Sequence, residues 1–221
     1  MYRCQAYLSN FHATPMTDET RPYRMKVRAE LQERTRRRIT ESAMELHGTL
    51  GPSRTSLSAV AKHAGVRRST LYRHFPDEAA LFAACSSHWM LQHPLPDLDA
   101  WAAVSHPDQR LRQALTEIYA YYAETEPMLT NLLRDVDVME AVQRQFAQFL
   151  NYMDAARLTL MVGRRERGGR ARRARAAVGH GLAFTTWRSL VLEQGCAATE
   201  AVEMMCQLVG ACTKTVNSHR G

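Results

Sequence analysis

Leu57, Val60, Ala61 and Ala64 recur at i, i+3, i+4 and i+7, a spacing that lays one narrow apolar stripe along a helix. Ser56 stands where an N-cap belongs. Gly65 follows the last apolar position, and glycine accepts the left-handed conformation that ends a helix, so Ala64-Gly65-Val66 reads as a tight turn. A second helix is expected from about Arg67 to His74, burying Leu71 and Phe75. Pro76 closes it, because the residue before a proline avoids the α region. The small side chains of Ala61 and Ala64 let the two helices cross closely at a steep angle, as a helix-turn-helix requires. Upstream, Ile39, Ala43 and Leu46 share one face of a first helix, which completes a three-helix unit. Downstream, Leu81, Phe82, Cys85 and Trp89 pattern a helix that begins after Asp77 and meets Pro94 and Pro96. Further helices are expected over about 107–124, 127–135, 137–162, 171–193 and 197–213, with no competing strand pattern. The fold class is all-α.

The exposed face of the second helix carries Arg67, Arg68, Ser69, Thr70, Tyr72, Arg73 and His74, which are hydrogen-bond donors for phosphates and base edges. Charge is spread to match. Residues 24–96 hold 12 Lys or Arg against 6 Asp or Glu, whereas residues 97–163 hold 5 against 10. The basic lobe contains the paired helices, which is the electrostatic footprint of a polyanion-binding surface. Arg36, Arg37 and Arg38 lie near the start of the first helix, as phosphate contacts or as a solvated basic end.

Val60-Ala61, Ala64-Gly65-Val66, Thr70-Leu71-Tyr72, His74-Phe75 and Leu81-Phe82 together resemble the signature of the TetR family of bacterial transcriptional regulators. The likeness is close from about Arg34 to Ala84; elsewhere it rests on length, helicity and a pattern near the C-terminus. It implies that Tyr72 and His74 contact the DNA backbone, that Arg68, Ser69, Thr70 and Arg73 reach bases or flanking phosphates, and that Ser56 adds a phosphate contact to its capping role. Two positions depart from the family pattern: Arg67 stands where serine is common, and Glu78 where lysine is common. Glu78 cannot hold a phosphate, although behind Asp77 it suits the positive end of a helix. Arg67 or Arg68 is the candidate to supply the missing contact.

The middle helices are rich in aromatic and sulfur side chains, namely Tyr119, Tyr122, Met128, Phe146, Phe149, Tyr152 and Met153. Such residues serve equally as ordinary core or as the wall of a pocket for a small apolar or aromatic molecule; the resemblance implies an effector pocket in this second domain. Phe184, Trp187, Leu190 and Val191, with Met205, Leu208 and Val209, offer apolar faces wide enough to pack within the chain or to meet a partner subunit. The resemblance implies the latter: a homodimer that reads a palindrome in double-stranded operator DNA with half-sites roughly 34–36 Å apart. Between these regions, residues 163–175 hold 7 arginines and one acidic residue, and read as a solvated loop rather than a second nucleic-acid site.

The expected domain order is an arm (1–24), a helix-turn-helix DNA-binding domain (25–76), a connecting helix (77–93), and a helical-bundle effector-binding and dimerisation domain (94–221). The arm lacks the apolar core of a signal peptide. Five cysteines without a framework spacing then fit reduced thiols in a cytoplasm, with Cys85, Cys196, Cys206 and Cys212 expected as small core residues. His88 and His93, five apart, read as surface residues. No nucleophile elbow, metal-ligand spacing or phosphate-cradling loop is present in the sequence, so neither an enzyme, a metal site nor a cofactor is expected. The functional expectation is a ligand-responsive transcriptional regulator, most simply a repressor released by its effector. The alternative is a helical sensor or sequestering protein without a specific operator.

Overall fold

Ser56 accepts a 3.1 Å hydrogen bond from the backbone N–H of Ala59, and Asp77 one of 2.7 Å from Ala80, so two helices begin on the capping residues that the sequence supplies. The computed structural model describes residues 20–213. Its elements are α1 (Thr20–Thr49), a single 3-10 turn (Pro52–Arg54), α2 (Leu57–His63), α3 (Arg68–His74), α4 (Glu78–Gln92), α5 (Leu98–Ala102), α6 (Pro107–Asp135), α7 (Glu140–Met161), α8 (Gly168–Leu182), α9 (Phe184–Trp187), a π-helical segment (Arg188–Glu193) and α10 (Ala198–Thr213). The described residues are helices and connections, with no strand among them.

The chain divides into two units after Arg38. In the first, the described part is helical, and no residue from Tyr23 to Arg38 is buried. Of the expected arm, residues 1–19 lie outside the described residues, while 20–24 open α1 instead. Pro22 falls in the first turn, where its missing N–H leaves no backbone acceptor without a donor.

The second unit contains two apolar clusters. One joins Ile39 and Ala43 of α1 to Val60, Ala61 and Ala64, to Leu71 and Phe75, and to Leu81, Phe82 and Cys85 of α4; Val142 of α7 closes it. The other is built on Leu111, Leu115, Ile118, Tyr119 and Tyr122 of α6, against Ala156 and Leu160 of α7, Val178 and Leu182 of α8, and Val202, Met205 and Val209 of α10.

Four departures from the expected elements have physical causes. Pro127 does not divide the helix, and α6 runs unbroken through it from Pro107 to Asp135. Proline inside a helix removes one backbone hydrogen bond, and burial of Tyr122, Thr125, Met128 and Leu129 on either side holds the helix together. The arginine-rich stretch is not a loop beyond Arg167. Ala174, Ala177, Val178, Gly181 and Leu182 form an i, i+3, i+4, i+7, i+8 buried stripe, and the arginines of the first turns, Arg172, Arg173 and Arg175 among them, are good helix formers on the outer face.

Conversely, the helix expected over 171–193 breaks at Ala183, whose ψ of 133° is extended. The Tyr119 hydroxyl donates to the freed carbonyl of Gly181 at 3.0 Å and the Tyr122 hydroxyl to that of Leu182 at 2.6 Å, so the break leaves these two buried acceptors satisfied. The connection between α7 and α8 is also held from within. Arg110, 4% exposed, donates to the carbonyls of Thr159 (3.1 Å) and Val162 (2.8 Å), while Arg164 donates to Pro107 (3.2 Å) and pairs with Asp108 (3.0 Å). Finally, α5 forms a short helix that was not expected. Its Trp101 is buried and donates to Glu117 at 2.6 Å.

Candidate functional site: a helix-turn-helix and an apolar cavity

The turn between α2 and α3 is closed by two backbone bonds. Gly65 N–H donates to Lys62 O at 3.1 Å and Val66 N–H to Ala61 O at 2.9 Å, the paired pattern of a Schellman motif, with Gly65 at φ +62°. The motif fixes the angle at which α3 leaves α2. Leu71 and Phe75 then bury one side of α3 completely. Arg67, Arg68, Ser69, Tyr72 and Arg73 are exposed, and Thr70 and His74 are half-buried. Arg67 is the N-cap of α3, with no side-chain capping bond, so its guanidinium is not spent on the helix end. Ser56 is exposed at the start of α2; its oxygen accepts the capping bond, which leaves the O–H proton as a donor. All eight predicted contact residues therefore lie on α2 and α3 or their caps.

One relationship on this face was not foreseen. Arg68 Nη2 donates to the Tyr72 hydroxyl at 3.0 Å, and the guanidinium carbon lies 5.4 Å from the centre of the tyrosine ring. The i, i+4 spacing on a helix was the available signal. Glu78 follows the capping Asp77 in the first turn of α4, as its chemistry favours.

A cavity of about 100 Å³ lies among α1, α4, α6 and α7. Met128, Phe146 and Phe149 line it, as do Met44, His47, Phe82, Cys85 and Trp89, which sequence reasoning did not assign. Tyr119 and Tyr122 do not line it; they are core residues tied to the α8 break. Tyr152 donates to the carbonyl of Pro96 at 2.8 Å, and Met153 packs against the core. Burial raises the hydroxyl pKa of all three tyrosines. Inside the cavity the Cys85 thiol donates to Phe82 O at 3.2 Å and lies 3.4 Å from His47 Nδ1. Burial pushes the thiol up to about 12 and the imidazole down to about 4, so both are neutral near pH 7. Cys85 is thus no candidate for a reactive thiolate. Cys196, Cys206 and Cys212 are half-buried rather than core.

His88 and His93 are half-buried rather than on the surface, and His93 Nδ1 is 2.8 Å from Glu124 Oε1. Among the described residues no group of three or more His, Cys, Asp or Glu is arranged to hold a metal ion, and no helix is long and apolar enough to cross a membrane.

Of the residues assigned to a subunit interface, Phe184, Trp187, Met205 and Val209 are buried within the chain itself, and Leu190 and Val191 pack against the same core. Intrachain packing therefore absorbs most of that apolar area. Leu208 is exposed, with Met204 and Leu192, which were not foreseen.

An all-α chain whose first apolar cluster is organised around a Schellman-closed α2–α3 pair is a helix-turn-helix protein. Its residues 39–85 match the family model described as bacterial regulatory proteins, tetR family, so the helix-turn-helix region is of the TetR type. Over 58 residues the chain is 45% identical to the HTH-type transcriptional regulator AcrR of Shigella flexneri, a match that spans 26% of each protein. The chain thus covers about a quarter of that curated relative's length. Similarity of fold extends much further. NalD of Pseudomonas aeruginosa, the secondary repressor of the MexAB-OprM multidrug efflux pump, aligns with a TM-score of 0.58 at 23% identity, covering 83% of this chain and 97% of NalD. The regulator FadR of Bacillus subtilis, solved with stearoyl-CoA, aligns with a TM-score of 0.54 at 17% identity, covering 78% of this chain and 96% of FadR.

Proposed function

We propose that the chain is a ligand-responsive transcriptional regulator that binds a palindromic operator as a dimer through α2 and α3 and is released by a small-molecule effector. The observation that carries this reading is the exposed face of α3, where Arg67, Arg68, Ser69, Tyr72 and Arg73 project from a helix anchored by buried Leu71 and Phe75. Tyr72 and His74 are assigned to phosphates together with Ser56; Arg68, Ser69, Thr70 and Arg73 are assigned to bases or flanking phosphates. Glu78 lies outside this set, and Arg67 takes its place.

The cavity among α1, α4, α6 and α7 supports effector control, because it adjoins residues of the same cluster that packs α2 and α3: Phe82, Cys85 and Val142 belong to both. That FadR, a protein of similar fold, was solved in complex with stearoyl-CoA supports a ligand-responsive reading. Dimerisation rests on the exposed apolar residues Leu192, Met204 and Leu208.

The test is selection of genomic fragments by the purified full chain at about 0.15 M salt, where weak ionic contacts are screened. Enrichment of a sequence with two inverted half-sites supports the reading. Recovery of only diffuse, salt-sensitive fragments, in the presence and absence of candidate effectors, overturns it.

A further inference from the structure

None of the residues that line the α1–α4–α6–α7 cavity is Asp, Glu, Lys or Arg. Two of its polar groups are already engaged with protein: the Cys85 thiol with Phe82 O and His47 Nδ1, and, nearer solvent, His93 with Glu124 at 2.8 Å. The polar groups left on the wall are uncharged, chiefly the amides of Gln145 and Gln148 and the hydroxyl of Ser86. Met90 and Gln148 are exposed and mark where the cavity meets solvent. An ion entering here would give up its water with no opposite charge to replace it, and the buried His47 imidazole stays neutral near pH 7 and offers an anion no positive charge.

Size narrows the class further. About 100 Å³ is the scale of the ~150 Å³ apolar cavity known to take benzene, and well below the ~300–1,000 Å³ of pockets for drug-sized ligands. Met44, Met90 and Met128 give the wall adaptable side chains, while Phe82, Trp89, Phe146 and Phe149 give it aromatic faces.

We propose that this cavity binds a small uncharged compound of about one aromatic ring, and discriminates against carboxylates and amines of the same shape. This rests on the reading of the helical region as effector-binding, and names the effector's chemical class. The ring lies among the aromatic and methionine side chains, and a neutral polar substituent meets Gln145, Gln148 or Ser86.

The experiment uses three probes that share one shape and differ in charge: para-fluorobenzyl alcohol, para-fluorobenzoate and para-fluorobenzylamine, each titrated against the full chain near pH 7.5 with fluorine NMR as the readout. The alcohol is expected to bind at least about tenfold more tightly than either ion, which is the scale of an uncompensated charge in a partly dry site. Gln145→Lys places a cation on the wall and is expected to raise benzoate affinity about tenfold while leaving the alcohol within a few-fold. Met128→Trp fills the space and is expected to abolish alcohol binding; Ser86→Trp does the same from α4 should the first variant fold poorly. Equal or tighter binding of either ion, failure of all three probes to bind, or alcohol binding untouched by both tryptophan variants overturns the proposal. No DNA enters these measurements. A chain that binds the alcohol yet selects no operator keeps this cavity assignment and loses the regulator reading, and the reverse result separates them equally well.

Discussion

Asp135, at the last turn of α6 and 1% exposed, accepts a 2.9 Å hydrogen bond from the backbone N–H of Ser53, 82 residues earlier in the chain. It does not act alone. Asn131, one turn before it, donates to the carbonyls of His47 (3.1 Å) and Gly48 (2.7 Å), and Arg134 donates to that of Leu50 (2.9 Å) while pairing with Asp135. The end of α6 thus satisfies the backbone groups left open where α1 ends and the 3-10 turn before α2 begins. Burial alone would raise the Asp135 carboxyl pKa, but the hydrogen bonds from Arg134 and Ser53 outweigh it and hold the group below the usual carboxylate range.

Asn131→Ala takes the partner from a buried carbonyl, that of His47, and from the part-buried one of Gly48, and a buried group left so costs about 1–3 kcal/mol. A loss of about 2–4 kcal/mol is therefore expected in the urea midpoint, with the m-value unchanged. Asp135→Ala is expected to be at least as damaging, because Ser53 N–H loses its acceptor and Arg134 its carboxylate partner. If either variant unfolds at the wild-type midpoint, the α6 terminus does not hold this turn.

Gly51 sits inside the same clamp. Its φ of +95° is a conformation L side chains rarely adopt, and a Cβ there would collide with the Arg134 guanidinium and come within 2.8 Å of Asp135 Oδ2. Gly51→Ala should therefore cost about 2 kcal/mol or more, from backbone strain and from displacement of the Arg134–Asp135 pair together. The combination Gly51→Ala with Arg134→Ala removes the collision with the guanidinium but keeps the close approach to Asp135 and the strain, so it should be less destabilised than the sum of its two parts. Thermal unfolding of the four proteins measures this directly.

His47 makes stability depend on pH. Burial lowers its pKa from 6.5 to about 4, only partly opposed by the nearby charge of Asp135; the Cys85 thiol beside it is neutral throughout this range. Because the unfolded chain takes up a proton near pH 6.5 and the folded one only near pH 4, the unfolded state binds more protons in between. The stabilisation is fully present above pH 6.5 and is lost as pH falls toward 4, by up to about 3 kcal/mol at roughly 1.4 kcal/mol per unit. Urea unfolding of wild type and His47→Gln across pH 4–7 checks this: the variant should lose that part of the slope. An unchanged slope would assign the pH dependence to other groups.

The α2–α3 pair was legible because its signals are local: a cap at Ser56, a glycine at 65, apolar residues at helical spacing, and a proline at 76. What stayed hidden depends on distant partners. No pattern around Pro127 indicates that α6 is held together by what it buries, and nothing near Ala183 shows that Tyr119 and Tyr122, some 60 residues away, supply donors for a broken helix. Those tyrosines looked as suitable for a pocket as Phe146 or Phe149, since periodicity gives the face of a residue but not what stands opposite. The cavity wall escaped notice for the same reason. Its buried polar pair, His47 and Cys85, belongs to α1 and α4 and meets only in the folded chain. After Gly168 the arginines dominate the composition, whereas the buried Ala174 and Ala177 carry the helix.

The pairing of Arg68 with Tyr72 changes how the DNA-contact assignments should be tested. Treated as independent, Tyr72 is a phosphate contact whose loss weakens binding uniformly, and Arg68 is a base contact whose loss alters preference. The 3.0 Å bond ties them: the tyrosine oxygen accepts from Arg68 and retains its O–H for a phosphate, so the phenol also aims the guanidinium. Tyr72→Phe should then do two things at once, weakening binding to every duplex and relaxing base preference, because the freed guanidinium samples more rotamers. In a double-mutant cycle of Tyr72→Phe and Arg68→Ala on the duplex recovered from genomic selection, the combined loss should fall short of the sum by about 1 kcal/mol, or roughly fivefold in Kd. Strict additivity, with Tyr72→Phe leaving base preference untouched, would show that the two side chains part company on DNA and act separately.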